Sequence, residues 1–549
     1  MKFQNTILTG LMLTTSCALA QEIIFSDEVD SMKIRFQQNT RTVVLDAQSK
    51  IIPWYKPANK AYDYFLRQRW DFIKTKVPNS PGPSPRSDYQ MYYFYCAYRA
   101  KNGELIPDQW MNDVGEKIPN WFESARLYYA YSGDSSVMKI VEDLADYALD
   151  HGISPHNYSW PDFPYTTTNA GDTEFRGFTS AQRFALHEIQ VDHAAEMGLT
   201  YYRLFQYTGK DKYKEAALRI ANTLAAKVRK GSLTQSPWPY RVVMDSGLVT
   251  AEYGANWTGA FLLFEHLILA AEGSIKDYKH ANQIIKEFLL SFPLKTGYWA
   301  DGHSDTNINS SRYKSNLSAS NFKLFLFDFL EFDPQWKSDI PRLIKWTEDN
   351  FVSRGTNGEP GNMWGANIVG EQDDFLVKMD YQTARYAAEC ARWFAISGDD
   401  TFKEKAYRSL NWVTYCSNEN GMAFESPLSK DVSNWWSDCY GEGPRMFYHV
   451  FAAIPEWAPP GEDHVLYSAG ILKKVSYAAG KISYTTSVSK GIEYLKLSFN
   501  PKKVTLDEKP LKLADDKNKV GYTVRKLDGG DYAVTINRSS LGKVVISDK

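Results

Sequence analysis

Four short stretches decide how this chain folds: Tyr131-Ser132-Gly133-Asp134, Tyr207-Thr208-Gly209-Lys210, Ala271-Glu272-Gly273-Ser274 and Ile396-Ser397-Gly398-Asp399. Each ends one helical stretch and precedes another, so each reads as the glycine turn of an αα-hairpin. The glycines stand 76, 64 and 125 residues apart. The last gap is two steps of about 62, and the missing turn falls inside it at Phe332-Asp333-Pro334-Gln335. The hairpins repeat every ~65 residues, which is too long for solenoid repeats of roughly 34 to 47.

Within each hairpin the first helix is rich in aromatic and small residues on nearly all sides. The second is amphipathic, as in Tyr213 to Val228 with Lys212, Lys214, Glu215 and Arg219 outward. Helices apolar all round belong inside, so an inner and an outer ring are expected. Asn120 reads as the cap that opens one inner helix, and Asp192, Asn256 and Asp380 stand at the heads of three others. The links between hairpins are long: 151–191, 229–255, 292–317, 351–379 and 417–440. Loops of this length are usually functional or disordered. These carry Trp160, Trp238, Trp299, Trp364, Trp435 and Trp436, which argues against disorder. Every link runs from an outer to an inner helix, so all must share one end, an aromatic and polar crater.

Helical patterning stops near Trp457-Ala458-Pro459-Pro460-Gly461, and period-two stretches such as Tyr494-Leu495-Lys496-Leu497-Ser498-Phe499 follow. At the other end, Lys2, the apolar Ile7 to Leu13 and Ala18-Leu19-Ala20 read as an export signal. The expected division is a signal peptide (1–20), a lead-in packed on the ring (21–55), a barrel (56–460) and a C-terminal β-domain (461–549). Export to the periplasm is expected, with secretion or a lipid anchor on Cys17 as alternatives. No stretch reaches the 18 or more consecutive apolar residues of a membrane span.

The chain has 549 residues, 43% hydrophobic and 23% charged, the composition of a globular protein. Its 63 basic and 65 acidic residues give net charge −2, with no global basic field for nucleic acid. The excess lies in 35 Tyr, 29 Phe and 16 Trp, side chains whose faces and polar tips suit sugars. Of the five cysteines none forms a C-x-x-C pair, so a zinc ribbon or redox motif is not expected. Asp301-Gly302-His303-Ser304-Asp305 lacks calcium-loop spacing, and no P-loop or Rossmann fingerprint occurs. No metal or cofactor is expected, and the oligomeric state is open.

About six αα-hairpins with long loops on one face, between an export signal and a small β-sandwich, resemble the (α/α)6-barrel enzymes of polysaccharide breakdown. These include glucuronyl hydrolases, β-glucuronidases and polysaccharide lyases. The stretches Val191 to Gly198, Ser236 to Arg241 and Glu252 to Trp257 are similar to motifs of barrels acting on uronic-acid glycans. The resemblance implies a mainly α fold and an oligosaccharide partner containing uronic acid.

Glycoside hydrolysis needs two carboxyl groups about the anomeric carbon. The crater offers Asp172, Glu174, Glu188, Asp192, Glu196, Glu252, Asp301, Asp373, Asp374, Asp380 and Glu442. Asp192 and Glu196 share a helix face at i and i+4. The alternative chemistry is β-elimination from a uronate, which needs a base, an acid and a group neutralising the carboxylate. His187 and His193, two of nine histidines, bracket the same helix start. The catalytic candidates are therefore Asp192, Glu196, His187, His193, Glu252 and Tyr253. For substrate binding the candidates are Arg241, which suits a sugar carboxylate, with Tyr240, Trp238, Asn256, Trp257, Asp380, Trp435 and Trp436. A non-catalytic glycan-binding protein is the remaining class.

Overall fold

The computed structural model describes residues 34–35, 43–54, 58–76, 97–101, 104–107, 113–169, 174–177, 185–300, 314–352, 361–373, 378–417, 421–423, 433–435 and 438–549. The inner ring contains α2 (Val114–Ser132), α4 (Val191–Thr208), α6 (Thr258–Ala270), α8 (Asn316–Asp328), α10 (Asp380–Ser397) and α12 (Gly443–Ala453). Outside them lie α1 (Ala58–Lys76), α3 (Ser136–His151), α5 (Asp211–Lys227), α7 (Ile275–Ser291), α9 (Trp336–Thr347) and α11 (Asp400–Thr414). Each inner helix packs on the next and α12 returns to α2, closing an (α/α)6 barrel.

The turns behave as their glycines dictate. Gly133, Gly209 and Gly398 cap α2, α4 and α10 at φ of 77°, 77° and 72°, where a side chain would be strained. Inner helix α4 buries residues all round, whereas α5 buries a stripe of Tyr213, Ala216, Ala217, Ile220, Ala221 and Leu224.

Two features depart from the sequence reading. The sixth pair joins the two ends of the barrel: α1 packs outside α12, with Phe65 stacked on Phe447 at 4.7 Å. Helix α2 begins at Val114, not at Asn120, and carries Pro119 inside it. Proline removes one ladder hydrogen bond, and burial of Ile118, Trp121 and Phe122 offsets that loss.

The described parts of the first four links are tied to one another. Strands β1 (Glu188–Gln190), β2 (Arg241–Val243) and β3 (Val249–Ala251) form an antiparallel sheet that joins links 151–191 and 229–255. A bridge from Ser315 to Gln372 joins links 292–317 and 351–379. Residues 43–54 lie against the outer ring, where Arg408 donates to the Ile51 carbonyl at 2.8 Å and Tyr415 to that of Ile52 at 2.7 Å.

The C-terminal strands are β4 (His464–Ser468), β5 (Leu472–Ala478), β6 (Lys481–Thr486), β7 (Gly491–Leu497), β8 (Lys503–Leu506), β9 (Gly521–Lys526), β10 (Tyr532–Arg538) and β11 (Lys543–Ser547). They build two antiparallel sheets, ordered β4-β7-β10-β9 and β5-β6-β11-β8, with Lys509–Pro510 at the edge of the second. This domain seats on the glycine-turn end of the barrel. His464 stacks on Tyr131 at 3.9 Å and reaches its carbonyl through Nδ1 at 2.8 Å, and the Val475 amide donates to Tyr129 at 2.9 Å. Cys390, Cys416 and Cys439 are buried. No helix among the described residues is long and apolar enough to cross a membrane.

Candidate active site

The inner ring encloses a cavity of about 690 Å³. Its wall holds Glu116, Asn120, His193, Glu196, Asn256, Asn321, Arg385 and Arg445; the β-domain side is lined by Tyr467 and Tyr494. Buried polar groups need partners, and here the partners run from helix to helix. Arg385 Nη1 donates to Asn321 Oδ1 at 2.8 Å, Asn321 Nδ2 donates to Asn256 Oδ1 at 3.1 Å, and Asn256 Nδ2 donates to Glu196 Oε1 at 3.0 Å and Asp192 Oδ2 at 3.3 Å. A guanidinium only donates. Arg385 therefore orients both amides, and the chain ends on the two carboxyls of α4. It spans the N-terminal turns of α4, α8 and α10 and the residue before Trp257, the cap of α6, which places those helix starts at one level.

Glu196 is half-buried on the cavity wall, and burial raises its carboxyl pKa, opposed by the His193 charge and the Asn256 hydrogen bond. Asp192 is only 2% exposed and stands behind Asn256. Burial opposes charging of His193, but Asp113, whose Oδ1 lies 3.2 Å from Nδ1, and Asp192 prevail and raise its pKa well above 6.5. His193 is thus a cation at neutral pH.

Deeper in the cavity, Arg126 and Arg203 both bind Glu123, at 2.9 Å and 2.5 Å, and hold that carboxylate ionised although burial opposes it. At the floor Tyr467 of β4 donates to Asp328 at 2.6 Å, and Arg392 donates to the same carboxylate at 2.7 Å. Burial and nearby arginines lower His266 and His449 to about 3. The unfolded state therefore binds more protons than the fold between pH about 6.5 and about 3. The contribution of these two histidines to stability is full above 6.5 and is lost as pH falls through that window. The melting temperature should drop measurably from pH 7 to pH 5, where ordinary carboxylates stay ionised, and His266→Gln with His449→Gln should shrink the drop. A double variant with an undiminished drop would count against this origin.

The other expected residues fall elsewhere. His187 accepts or donates at 2.8 Å to Tyr165 through Nδ1 and lies 3.4 Å from Tyr158 through Nε2, in the link before α4. Arg241 is 6% exposed on β2, its Nε 3.8 Å from Glu188 of β1. Trp238 and Trp257 are fully buried, their ring N–H groups bonded to the carbonyls of Leu224 at 2.9 Å and Gly254 at 2.7 Å. Tyr240 and Tyr253 are buried as well, and Tyr253 donates to the Tyr298 carbonyl at 3.2 Å. These rings pack the base of the crater and are absent from the cavity lining. Glu252 is exposed and paired with Arg229. Asp380 is sealed off, bonded to Arg69 at 3.0 Å and to Cys439 at 3.1 Å. Trp435 ends a strand, Ser433–Trp435, and Trp436 lies outside the described residues, as do Asp172, Asp301 and Asp374. Of the remaining carboxyls, Glu174 meets His151 at 2.9 Å and Asp373 accepts from the Lys314 amide at 3.0 Å. Among the described residues no cluster of His, Cys, Asp and Glu could hold a metal.

No family model matches the chain, and no curated protein matches it. A solved D-mannose isomerase aligns with TM-score 0.51 and 11% identity, over 73% of this chain and 100% of the other. The chain shares that barrel. Cellobiose 2-epimerase from Spirochaeta thermophila aligns at TM-score 0.49 and 8% identity (73% and 99% of the chains), and α-1,2-mannosidase from Trichoderma reesei at 0.40 and 13% (72% and 84%). At such identities only the fold carries over to this chain.

Sequence reading missed Glu116, Asn120 as a wall residue, Asn321, Arg385 and Arg445. A signal for Arg385 was present. It stands with Glu389 among Ala384, Ala387, Ala388 and Ala391, on a helix with no solvated face, where a charge needs a buried partner.

Proposed function

We propose that the chain is a carbohydrate-active enzyme that hydrolyses a glycosidic bond of a uronic-acid oligosaccharide inside the barrel cavity, with exo action, using Glu196 as general acid. The observation that carries this reading is Glu196 itself. It is a wall carboxyl whose pKa burial raises, which favours the protonated form, and whose direction Asn256 fixes. A protonated carboxyl at working pH is what a glycosidic leaving group requires. Asp192 is a positioning residue, holding the amide of Asn256. Glu116, on the neighbouring inner helix α2 and bonded to Lys117 at 3.0 Å, is a further wall carboxyl and the group to activate water. Turnover should fall as pH rises through the raised pKa of Glu196, because the acid then loses its proton.

Elimination by His193 is disfavoured by its charge, since a base must start neutral. His187 with Tyr165 and Tyr158 keeps elimination as the second reading. The two are separated by incubating the protein with uronic-acid oligosaccharides and following both reducing ends and the ultraviolet absorbance of an unsaturated uronate. Reducing ends without absorbance support hydrolysis, absorbance supports elimination, and neither would overturn catalysis on these sugars.

A further inference from the structure

The guanidiniums of the cavity wall outnumber the carboxylates that hold them. Glu442, fully buried behind the wall, is shared by Arg385 and Arg445, the latter through Nη2 at 3.4 Å. Arg385 is also committed to Asn321 and, at 3.2 Å, to Ser320. Arg445 has its one ion pair among the described residues with Glu442. The Nε atoms of both arginines and the Nδ2 of Asn120 are buried without a partner, and all three residues line the cavity. Arg385 is 1% exposed and Asn120 5%.

Unpaired buried donors are costly, and the two guanidiniums share Glu442 as their one ion-paired carboxylate among the described residues. Burial lowers the pKa of both arginines, to about 9 for Arg385, where Arg445 adds to the lowering as Arg126 does at Arg445, while Glu196 and Glu116 oppose it at both. Each feature is relieved by an anion with two or more acceptor oxygens. Arg241 does not offer such a place, being buried against Glu188.

We propose that Arg385 and Arg445, with the Asn120 amide, form a carboxylate-binding station on the cavity wall that reads the acid group of a uronic-acid residue. The station rests on the reading of the cavity as a sugar site and names the chemistry that selects the sugar. A planar carboxylate meets guanidinium forks through two parallel hydrogen bonds. The Asn321–Asn256 chain ties the same Arg385 to Glu196. Recognition of the acid group would thus fix the ring relative to the proton donor.

The test is calorimetric titration with glucuronate and with glucose, on the full chain and on Arg445→Gln. Arg445→Gln leaves Glu442 paired with Arg385, and Arg385→Lys serves as a second variant that keeps the charge but loses the fork. Glucuronate should bind the unaltered protein at least tenfold more tightly than glucose. Each variant should lose about tenfold or more for glucuronate and little for glucose. Equal affinity for the two sugars, or glucuronate affinity indifferent to both substitutions in folded protein, overturns the station. Glu196→Gln keeps the two readings apart. If it abolishes turnover while glucuronate binding ignores Arg445, the station falls and the function stands. If glucuronate binding needs Arg445 yet no glycosidic bond is cleaved, the station stands and the hydrolase reading falls. If glucuronate does not bind, the station falls.

Discussion

Glu196→Gln is expected to fold with a melting temperature close to that of the unaltered protein and to lose at least about 10²-fold in turnover, the lower end for general acid–base catalysis. The amide keeps the shape of the side chain and can still meet Asn256, so the interhelical chain survives with modest adjustment. What it lacks is the proton. The variant separates chemistry from architecture because Glu196 is half-buried on the cavity wall and its hydrogen bond is to the Asn256 amide, which a glutamine can keep. A large fall in melting temperature with activity retained would assign Glu196 to structure instead.

The second large effect is on stability. Asp380→Ala should destabilise the protein by about 3 to 5 kcal/mol, because it leaves the Arg69 guanidinium buried without its carboxylate. Both side chains are at most 1% exposed. Arg69 reaches from α1 to the first turn of α10, and also to the carbonyls of Cys439 and Cys416, so it clamps the outer helix that closes the ring. Chemical denaturation read by circular dichroism measures the loss. An unchanged denaturation midpoint together with lost turnover would return Asp380 to the substrate.

The legible part of the fold was local. Gly133, Gly209 and Gly398 announce their turns because a left-handed cap is a property of one residue. From those turns the ring, the crater and the number of pairs follow by arithmetic. The closure by α1 and α12 was not legible, since the contact of Phe65 with Phe447 joins residues far apart in sequence. The start of α2 was misplaced because Pro119 followed by Asn120 carries the local signature of a helix beginning, whereas tertiary burial extends the helix back to Val114.

At the site, the grouping of Asp192, His193 and Glu196 was visible because helical spacing puts them in adjacent turns. Which of them faces the cavity was not. That depends on Asn256, arriving from the next inner helix, and on Arg385, two helices further on. Aromatic residues misled most. Trp238 and Trp257 sit in motifs rich in rings and polar groups, but their N–H groups are satisfied by nearby carbonyls, which lets them pack in the core.

The central claim is that sugar is cleaved within the barrel, at the wall carried by α4. A crystal structure of the Glu196→Gln protein with a bound uronic-acid oligosaccharide tests it most directly. The expected result is a sugar inside the cavity, its glycosidic oxygen within roughly 2.6 to 3.2 Å of the side chain at position 196 and its carboxylate against Arg445. A sugar bound outside the cavity, on the crater rim or the β-domain, with the α4 wall untouched, would contradict it.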